Sequence, residues 1–427
     1  MGEPLRQATR YEAIEGRFDP WLVGVMLALA ALGVVMVASS SISQHSNPFH
    51  YLVRHVMFLA AGIGLALAVM RCELKTVEKY NQLLLLACVG LLLLVFVPGL
   101  GVSVKGAHRW INLGVSNFQV VEVVKVFFIV WLASYLVRFR DEVHATWPAM
   151  LKPFGVALTL VALLLLQPDF GSSLLLLAIT AGMLVLGGVS IVRIVIPGIA
   201  LVAMLAMLAV AAPYRMRRIT SFTDPWEDPF GSGYQLTNAL MAIGRGEWTG
   251  IGLGGSVLKL NYLPEVHTDF IFSVIGEELG FAGICLVIAL YVLLVGRAFW
   301  VGYRCVEMRR HFAGYVAFGV ALWIGLQSFV SMGVNLGLLP TKGLTLPLIS
   351  SGGSSVLMTC VAMGLLLRVS YELERTQRQV ALRGDLMQQG ATGSAEETAP
   401  VPPGPAAPSP VPSRLRPRVE PTFGRIA

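Results

Sequence analysis

Five ionisable side chains sit in or beside long apolar runs of this 427-residue chain, and their types and spacing could do chemistry. Glu122 and Lys125 lie three residues apart within one run, hence on one face of a helix. Glu277 and Glu278 are adjacent inside another, and Asp269 stands just before that run begins. An ionisable group inside a membrane span costs about 2.5–3.5 kcal/mol on insertion scales, so such a residue is a functional candidate by default. The Glu122–Lys125 pair either neutralises itself as an intrahelical ion pair or faces protein or water in a working cavity. Asp269 is open to two readings. It caps a helix N-terminus, where a carboxylate is favoured, or it serves as a general base at the polar edge of the run. At 1.5 Å rise per residue, the two glutamates lie roughly 12–14 Å further along the helix than Asp269.

The elements that must carry these residues are membrane helices. The chain is 55% hydrophobic and 13% charged, with a mean hydropathy of +0.70, where a soluble domain averages about 25% charged. Residues 20 to 370 read as apolar blocks parted by short polar loops, and backbone inside lipid must be helical. The net charge of +7 is not a nucleic-acid patch, because the basic residues fall at the ends of apolar blocks. There they report topology. Arg6, Arg10 and Arg17 place residues 1–19 in the cytoplasm, and the blocks that follow predict an all-α, polytopic bundle of ten transmembrane helices with both termini cytoplasmic. Arg54 and His55 fall near the outer end of the second span, and Pro168 and Gly171 of QPDFGSS mark an outer turn. The cysteines Cys72, Cys88, Cys285, Cys305 and Cys360 are scattered, without the spacing of a disulfide framework or a zinc site.

One large extracytoplasmic loop is expected, residues 213–268. Its length marks it as functional, and its aromatics Tyr214, Phe222, Trp226, Phe230, Tyr234 and Trp248 need burial. Leu236, Ala239, Leu240 and Ile243 recur at helical spacing, predicting a short helix on the membrane interface. Arg215, Arg217 and Arg218 either meet lipid headgroups or guide a phosphorylated lipid. The glycines of GIGLGG (250–255) follow no strand and do not form a dinucleotide loop. Asn335 to Ser355 is a Pro/Gly/Ser-rich outer or re-entrant segment, and residues 371–427 form a cytoplasmic, largely disordered Pro/Ala-rich tail.

In order along the chain, GAHRWINLG, NFQ before Glu122 and Lys125, QPDFGSS, LPEVHTDFIFSVIGEELG and LPTKGLTLPLISSGGSS resemble the SEDS family of shape, elongation, division and sporulation proteins. The likeness spans most of residues 15–375, and TKGLTLP (341–347) resembles the division branch more than the elongation branch. The sequence departs from the family pattern at QVVE (119–122), where QPSE or QPAE is frequent, and at Ser351, where tyrosine is usual.

The resemblance implies a peptidoglycan glycosyltransferase in the cytoplasmic membrane, at the division septum. It would polymerise lipid II, the undecaprenyl-pyrophosphate-linked disaccharide-pentapeptide, beside a class B penicillin-binding transpeptidase and other division-complex membrane proteins. Asp269 matches the family's essential aspartate. Trp110, Glu122 and Lys125 match positions kept around the central cavity, and the expected substrate-binding set adds Arg109, His267, Arg215, Glu277 and Glu278. The chemistry requires a sugar 4-hydroxyl to attack an anomeric carbon bearing pyrophosphate. One dominant acid favours direct inverting displacement over a two-carboxylate scheme. No metal site is expected from the side chains, although Mg²⁺ or Mn²⁺ could assist the departing pyrophosphate. A lipid II flippase and a non-catalytic septal scaffold are the rival classes. Against the first stands the position of the best acid at the outer mouth, with no inverted repeat in the sequence.

Overall fold

A computed structural model describes residues 15–41, 49–104, 107–112, 114, 117–210, 221–257, 259, 266–340 and 343–397. Residues 1–378 form one compact unit and residues 379–427 a second. The described residues are mostly helical, and among them are seven helices long and apolar enough to cross a membrane. These are α1 (Pro20–Ser41), α2 (His50–Arg71), α5 (Val120–Arg138), α7 (Trp147–Leu166), α11 (Ile271–Glu307), α12 (His311–Asn335) and the start of α13 (Gly353–Glu397). Between them lie the shorter apolar helices α4 (Asn81–Leu94) and α8 (Phe170–Leu186), and the apolar α9 (Ile191–Val210). The polar connectors α3 (Leu74–Lys79) and α6 (Arg140–Ala145) are short, and α10 (Tyr234–Arg245) lies within the large loop, where the periodicity of its leucines and alanines predicted a helix.

The centre of the first unit is built on α5 and α12. Of the residues in their apolar windows, 78% and 72% are buried, against 11% for α2 at the periphery. Small residues let the helices approach, as expected where apolar side chains gain nothing by leaving lipid. Gly62 of α2 meets Cys360 of α13, and Gly33 of α1 lies against the backbone of Leu348 and Ile349.

Three features depart from the sequence reading. The first is a small three-stranded antiparallel sheet in a chain expected to be all-α, formed by β1 (Gly101–Val104), β2 (Ala107–Asn112) and β3 (Asn117–Gln119). It pairs Val102 with Trp110 and Trp110 with Gln119, and β3 runs directly into α5. The stretch AHRWIN was expected to be an outer loop; its backbone groups are satisfied by strand pairing, and its residues alternate between the two faces. The second is a break in α11 at Gly280 (φ 66°, ψ −162°), a conformation open to glycine and hostile to residues with a Cβ.

The large loop repairs that break. The N–H groups of Phe281 and Ala282 donate to the carbonyls of Glu247 (2.8 Å) and Trp248 (3.1 Å). The carbonyls of Glu277 and Glu278 accept from Ile251 and Gly252 (3.1 Å each). Non-helical backbone at membrane depth is tolerated only when protein satisfies it in this way. Earlier in the loop, hydrogen bonds from the Ser232 N–H (2.7 Å) and hydroxyl hold the Asp228 carboxyl below the ordinary aspartate value. The third departure is the length of α13, which continues past Arg368 to Glu397 within a segment read as largely disordered from residue 371.

Candidate active site

Asp269 lies in the turn 266–270 that leads into α11, and it is half-buried. The N-cap position belongs to Phe270, so Asp269 stands one residue before the position from which a side chain caps. The turn is held on three sides. Asn335, the last residue of α12, donates from Nδ2 to the Asp269 carbonyl (2.9 Å). The Oδ1 of Asn335 accepts from the Ser273 N–H (3.1 Å) and hydroxyl (2.8 Å). From the Pro/Gly/Ser-rich segment, the Ser350 hydroxyl donates to the Thr268 carbonyl (2.7 Å) and the Ser351 N–H to the His267 carbonyl (2.8 Å). Gly343 of that segment closes on the carboxylate itself, since a Cβ there would stand 3.0 Å from Asp269 Oδ2. His267 is 9% exposed and stacks on Tyr51 of α2, with ring centroids 3.9 Å apart.

A second centre lies between α5 and α12. Both carboxylate oxygens of Glu122 are 2.9 Å from Lys125 Nζ. Lys125 is 0% exposed. The ammonium also donates to Gln327 Oε1 (2.7 Å) and sits 4.7 Å from the ring centroid of Trp323. Such a cation is stabilised by its carboxylate, an amide oxygen and an aromatic face.

The two glutamates of α11 do not join that centre. Glu277 accepts from the Ser256 hydroxyl (2.5 Å) and the Val257 N–H (3.2 Å), with Arg245 Nη1 at 3.4 Å. Glu278 accepts from the Ser39 hydroxyl (2.7 Å to each oxygen), Lys259 Nζ (3.1 Å) and the Ser256 N–H (3.4 Å). Both carboxylates are 0% exposed. Neither is a partner of Lys125, whose ammonium is held by Glu122 and Gln327. Glu277 and Glu278 fasten the large loop to α11 and, through Ser39, to the end of α1.

Arg109 and Trp110 lie on β2. The Arg109 guanidinium donates to the carbonyls of Gln167 (3.1 Å) and Pro168 and approaches Asp169 (3.8 Å). Asp169 in turn caps α8 by accepting from the Ser172 N–H (3.2 Å). Trp110 is half-buried in the sheet between Val102 and Gln119. Arg215, with Arg217 and Arg218, lies outside the described residues. Among the described residues no three His, Cys, Asp or Glu side chains converge as metal ligands.

The structure thus brings together Asp269 and His267, and separately Glu122 and Lys125. It also shows Gln327, Asn335, Thr345 and Ser350, which sequence reasoning passed over. A signal was available for two of them. Trp323, Gln327, Ser331 and Asn335 recur every fourth residue of an apolar span, a polar stripe on one helix face.

The family model for the FtsW, RodA and SpoVE cell cycle proteins matches residues 20–375. A protein of Xanthomonas oryzae pv. oryzae named probable peptidoglycan glycosyltransferase FtsW is 65% identical, over 100% of this chain and 94% of its own length. A protein of Pseudomonas fluorescens with the same name is 47% identical over 83% of this chain and 88% of its own. One solved chain, from a structure described as "Structural coordination of polymerization and crosslinking by a peptidoglycan synthase complex", superposes with a TM-score of 0.70 at 32% identity. It covers 83% of this chain and 97% of that one. The rod shape determining protein RodA of Thermus thermophilus superposes with a TM-score of 0.60 at 29% identity, over 83% of this chain and 96% of that one.

Proposed function

This chain belongs to the FtsW, RodA and SpoVE family of cell cycle proteins, and from that premise we infer that it is a peptidoglycan glycosyltransferase. It polymerises lipid II into glycan strands at the outer face of the cytoplasmic membrane, during wall synthesis at the division septum. The observation that carries this reading is the setting of Asp269: a half-buried carboxylate at the start of a span, clasped between the ends of α11 and α12 and a polar segment.

In the mechanism we propose, Asp269 accepts the proton of a sugar 4-hydroxyl as that oxygen attacks the anomeric carbon bearing pyrophosphate. The pyrophosphate leaves from the opposite face, which inverts the configuration. Trp110, His267 and Arg215 are assigned to substrate. Arg109, already engaged with the 167–169 turn, presents its half-exposed guanidinium beside that turn. The Glu122–Lys125 pair orders the framework behind the site, and Glu277 and Glu278 hold the loop over it. A divalent cation, Mg²⁺ or Mn²⁺, fits only in the mode where few protein ligands and substrate phosphates hold the ion. Such an ion would be held by the substrate's own phosphate oxygens rather than by Asp269, which works at the attacking face, and it would offset charge on the leaving pyrophosphate.

The same reading sets ten spans, counting α4, α8 and α9 with the seven helices first named, both termini in the cytoplasm and residues 213–268 outside. It takes 20–370 as the glycosyltransferase domain, flanked by cytoplasmic segments 1–19 and 371–427. It gives the chain a class B penicillin-binding transpeptidase as partner, consistent with the synthase complex it resembles, and other membrane proteins of the division machinery.

Asp269→Asn tests the assignment, because it keeps the size of the side chain and removes the carboxylate that accepts the proton. With lipid II in detergent, glycan synthesis should fall by roughly 10²- to 10⁴-fold, while insertion and partner binding persist. Polymer made by the wild type in detergent, where two membrane faces do not exist, separates the enzyme from a flippase. A folded Asp269→Asn protein that still makes long strands would sink the catalytic role.

A further inference from the structure

We propose that Gln327 is a positioning residue for the reaction: its side-chain amide sets the register of the 343–352 segment against Asp269 and joins that segment to the Glu122–Lys125 pair. The inference rests on the reading of Asp269 as the base.

Gln327 is 0% exposed on α12. Its Oε1 accepts from Lys125 Nζ and from Trp323 Nε1, both at 2.7 Å. An ammonium and an indole N–H can only donate, so the amide oxygen must face them, and two donors fill its capacity. The flipped amide would set an NH₂ group against two donors. The Nε2 group is thereby aimed the other way, and it donates to the Thr345 carbonyl (2.9 Å), with the Thr345 hydroxyl at 3.5 Å. The Thr345 hydroxyl is itself shared with Ser355 at the start of α13 (2.8 Å).

Thr345 is two residues from Gly343, whose α-carbon closes on the Asp269 carboxylate. On its other side, the Leu346 N–H donates to the Ser350 hydroxyl (2.8 Å), and Ser350 and Ser351 hold the turn at Thr268 and His267. The segment is therefore fastened to the turn at one end and to the helix bundle through Gln327 in its middle. A shift at Thr345 is transmitted to Gly343, where a Cβ would stand only 3.0 Å from Asp269 Oδ2, inside ordinary van der Waals contact. A misplacement of about 1 Å at a reacting group is enough to cost about 10²-fold in rate.

The competing role is plainer: Gln327 serves only to satisfy the buried Lys125. Two variants of the full chain in lipid nanodiscs part the two. Gln327→Glu keeps both acceptor contacts, to Lys125 and Trp323, but cannot donate to Thr345. Gln327→Met is of similar length and keeps neither. Lipid II polymerisation is measured as kcat and KM, together with amide hydrogen exchange over 344–352. We expect kcat to fall about 10²-fold in both variants, KM to stay within about threefold, and exchange over 344–352 to rise at least tenfold in both.

Wild-type kcat in a folded Gln327→Glu protein overturns the proposal and returns Gln327 to the service of Lys125. Unchanged exchange over 344–352 overturns it as well, whatever happens to the rate, because the segment was then not held by this amide. A wild-type protein that makes no glycan brings down the activity reading first, and this one with it. That outcome is distinct from an active wild type with indifferent Gln327 variants.

Discussion

Glu278→Ala should open the large loop without unfolding the bundle. The carboxylate is fully buried and accepts from the Ser39 hydroxyl, the Lys259 ammonium and the Ser256 N–H. Removing one partner of a buried pair costs about 3–5 kcal/mol. Lys259 keeps the Gly254 carbonyl (2.7 Å), which argues for the lower end, about 3 kcal/mol. The loop has an escape that the bundle lacks, since it can lift towards water, so the cost appears as local opening. At 1.4 kcal/mol per tenfold change, about 3 kcal/mol is roughly a 10²-fold shift in the closed-to-open ratio.

The reporters are the amides of Ile251 and Gly252, which donate to the carbonyls of Glu277 and Glu278 only while the loop is seated. Their hydrogen exchange in nanodiscs should quicken by roughly 10²-fold, while amides in the middle of α5 stay as protected as in the wild type. Glu278→Gln retains one acceptor oxygen and should quicken them by about tenfold, because a neutral acceptor forms the weaker hydrogen bond. If Ile251 and Gly252 exchange at wild-type rates in Glu278→Ala, the clasp holds nothing and the reasoning fails.

Lys125→Met leaves the 4%-exposed Glu122 without its cation, so stability should drop by about 3–5 kcal/mol and polymerisation should fall sharply. Adding Glu122→Gln should recover more than half of the stability loss, and strictly additive melting shifts would disprove the coupling. Gly280→Ala forces a Cβ to 2.3 Å from the Gly250 nitrogen at a positive φ. It should lower the melting temperature and raise protease cleavage between 244 and 257, and a wild-type melt would show that the break is not needed. A cysteine placed at Ser232 should react with an impermeant thiol reagent in intact spheroplasts and one at Ser394 should not, with the reverse pattern overturning the proposed topology.

Much of this architecture is written in composition and pattern. Apolar blocks parted by basic residues announce membrane helices, because lipid leaves the backbone no other solution. The helix over Tyr234–Arg245 was legible from its leucine and alanine spacing. The Glu122–Lys125 pair was legible because three residues on a helix bring two long side chains together. The break at Gly280 was not. IGEELGFAG reads as unbroken helix, since its cause is the distant 247–252 backbone, which replaces the missing helical hydrogen bonds. The role of Glu277 and Glu278 was hidden for the same reason. Apolar neighbours in sequence place them deep in a span, while the groups that satisfy them come from elsewhere: Arg245, Ser256 and Lys259 from the large loop, and Ser39 from the end of the apolar α1.

The polar residues of the bundle therefore do different work according to what they face. Glu277 and Glu278 each accept several hydrogen bonds from protein, Lys125 donates to Glu122 and Gln327, and Gln327 is engaged at both ends of its amide, so these fully buried groups have little left for a substrate. Asp269 differs in exposure, half-buried where those four are fully buried. Its backbone carbonyl is committed to Asn335, while its carboxylate stands half-buried opposite a glycine, the one residue type that brings backbone so close without filling the space with a side chain. A Cβ at position 343 would meet Oδ2 at 3.0 Å, so Gly343→Ala presses on the carboxylate directly. It removes no hydrogen bond and no charge. If the approach to Asp269 governs the reaction, that added methyl alone should lower kcat by about 10-fold or more, since small misplacements of reacting groups carry large rate penalties. Membrane insertion and melting temperature should remain those of the wild type. A Gly343→Ala protein with wild-type turnover would mean that the space beside the carboxylate is not where the acceptor sugar enters.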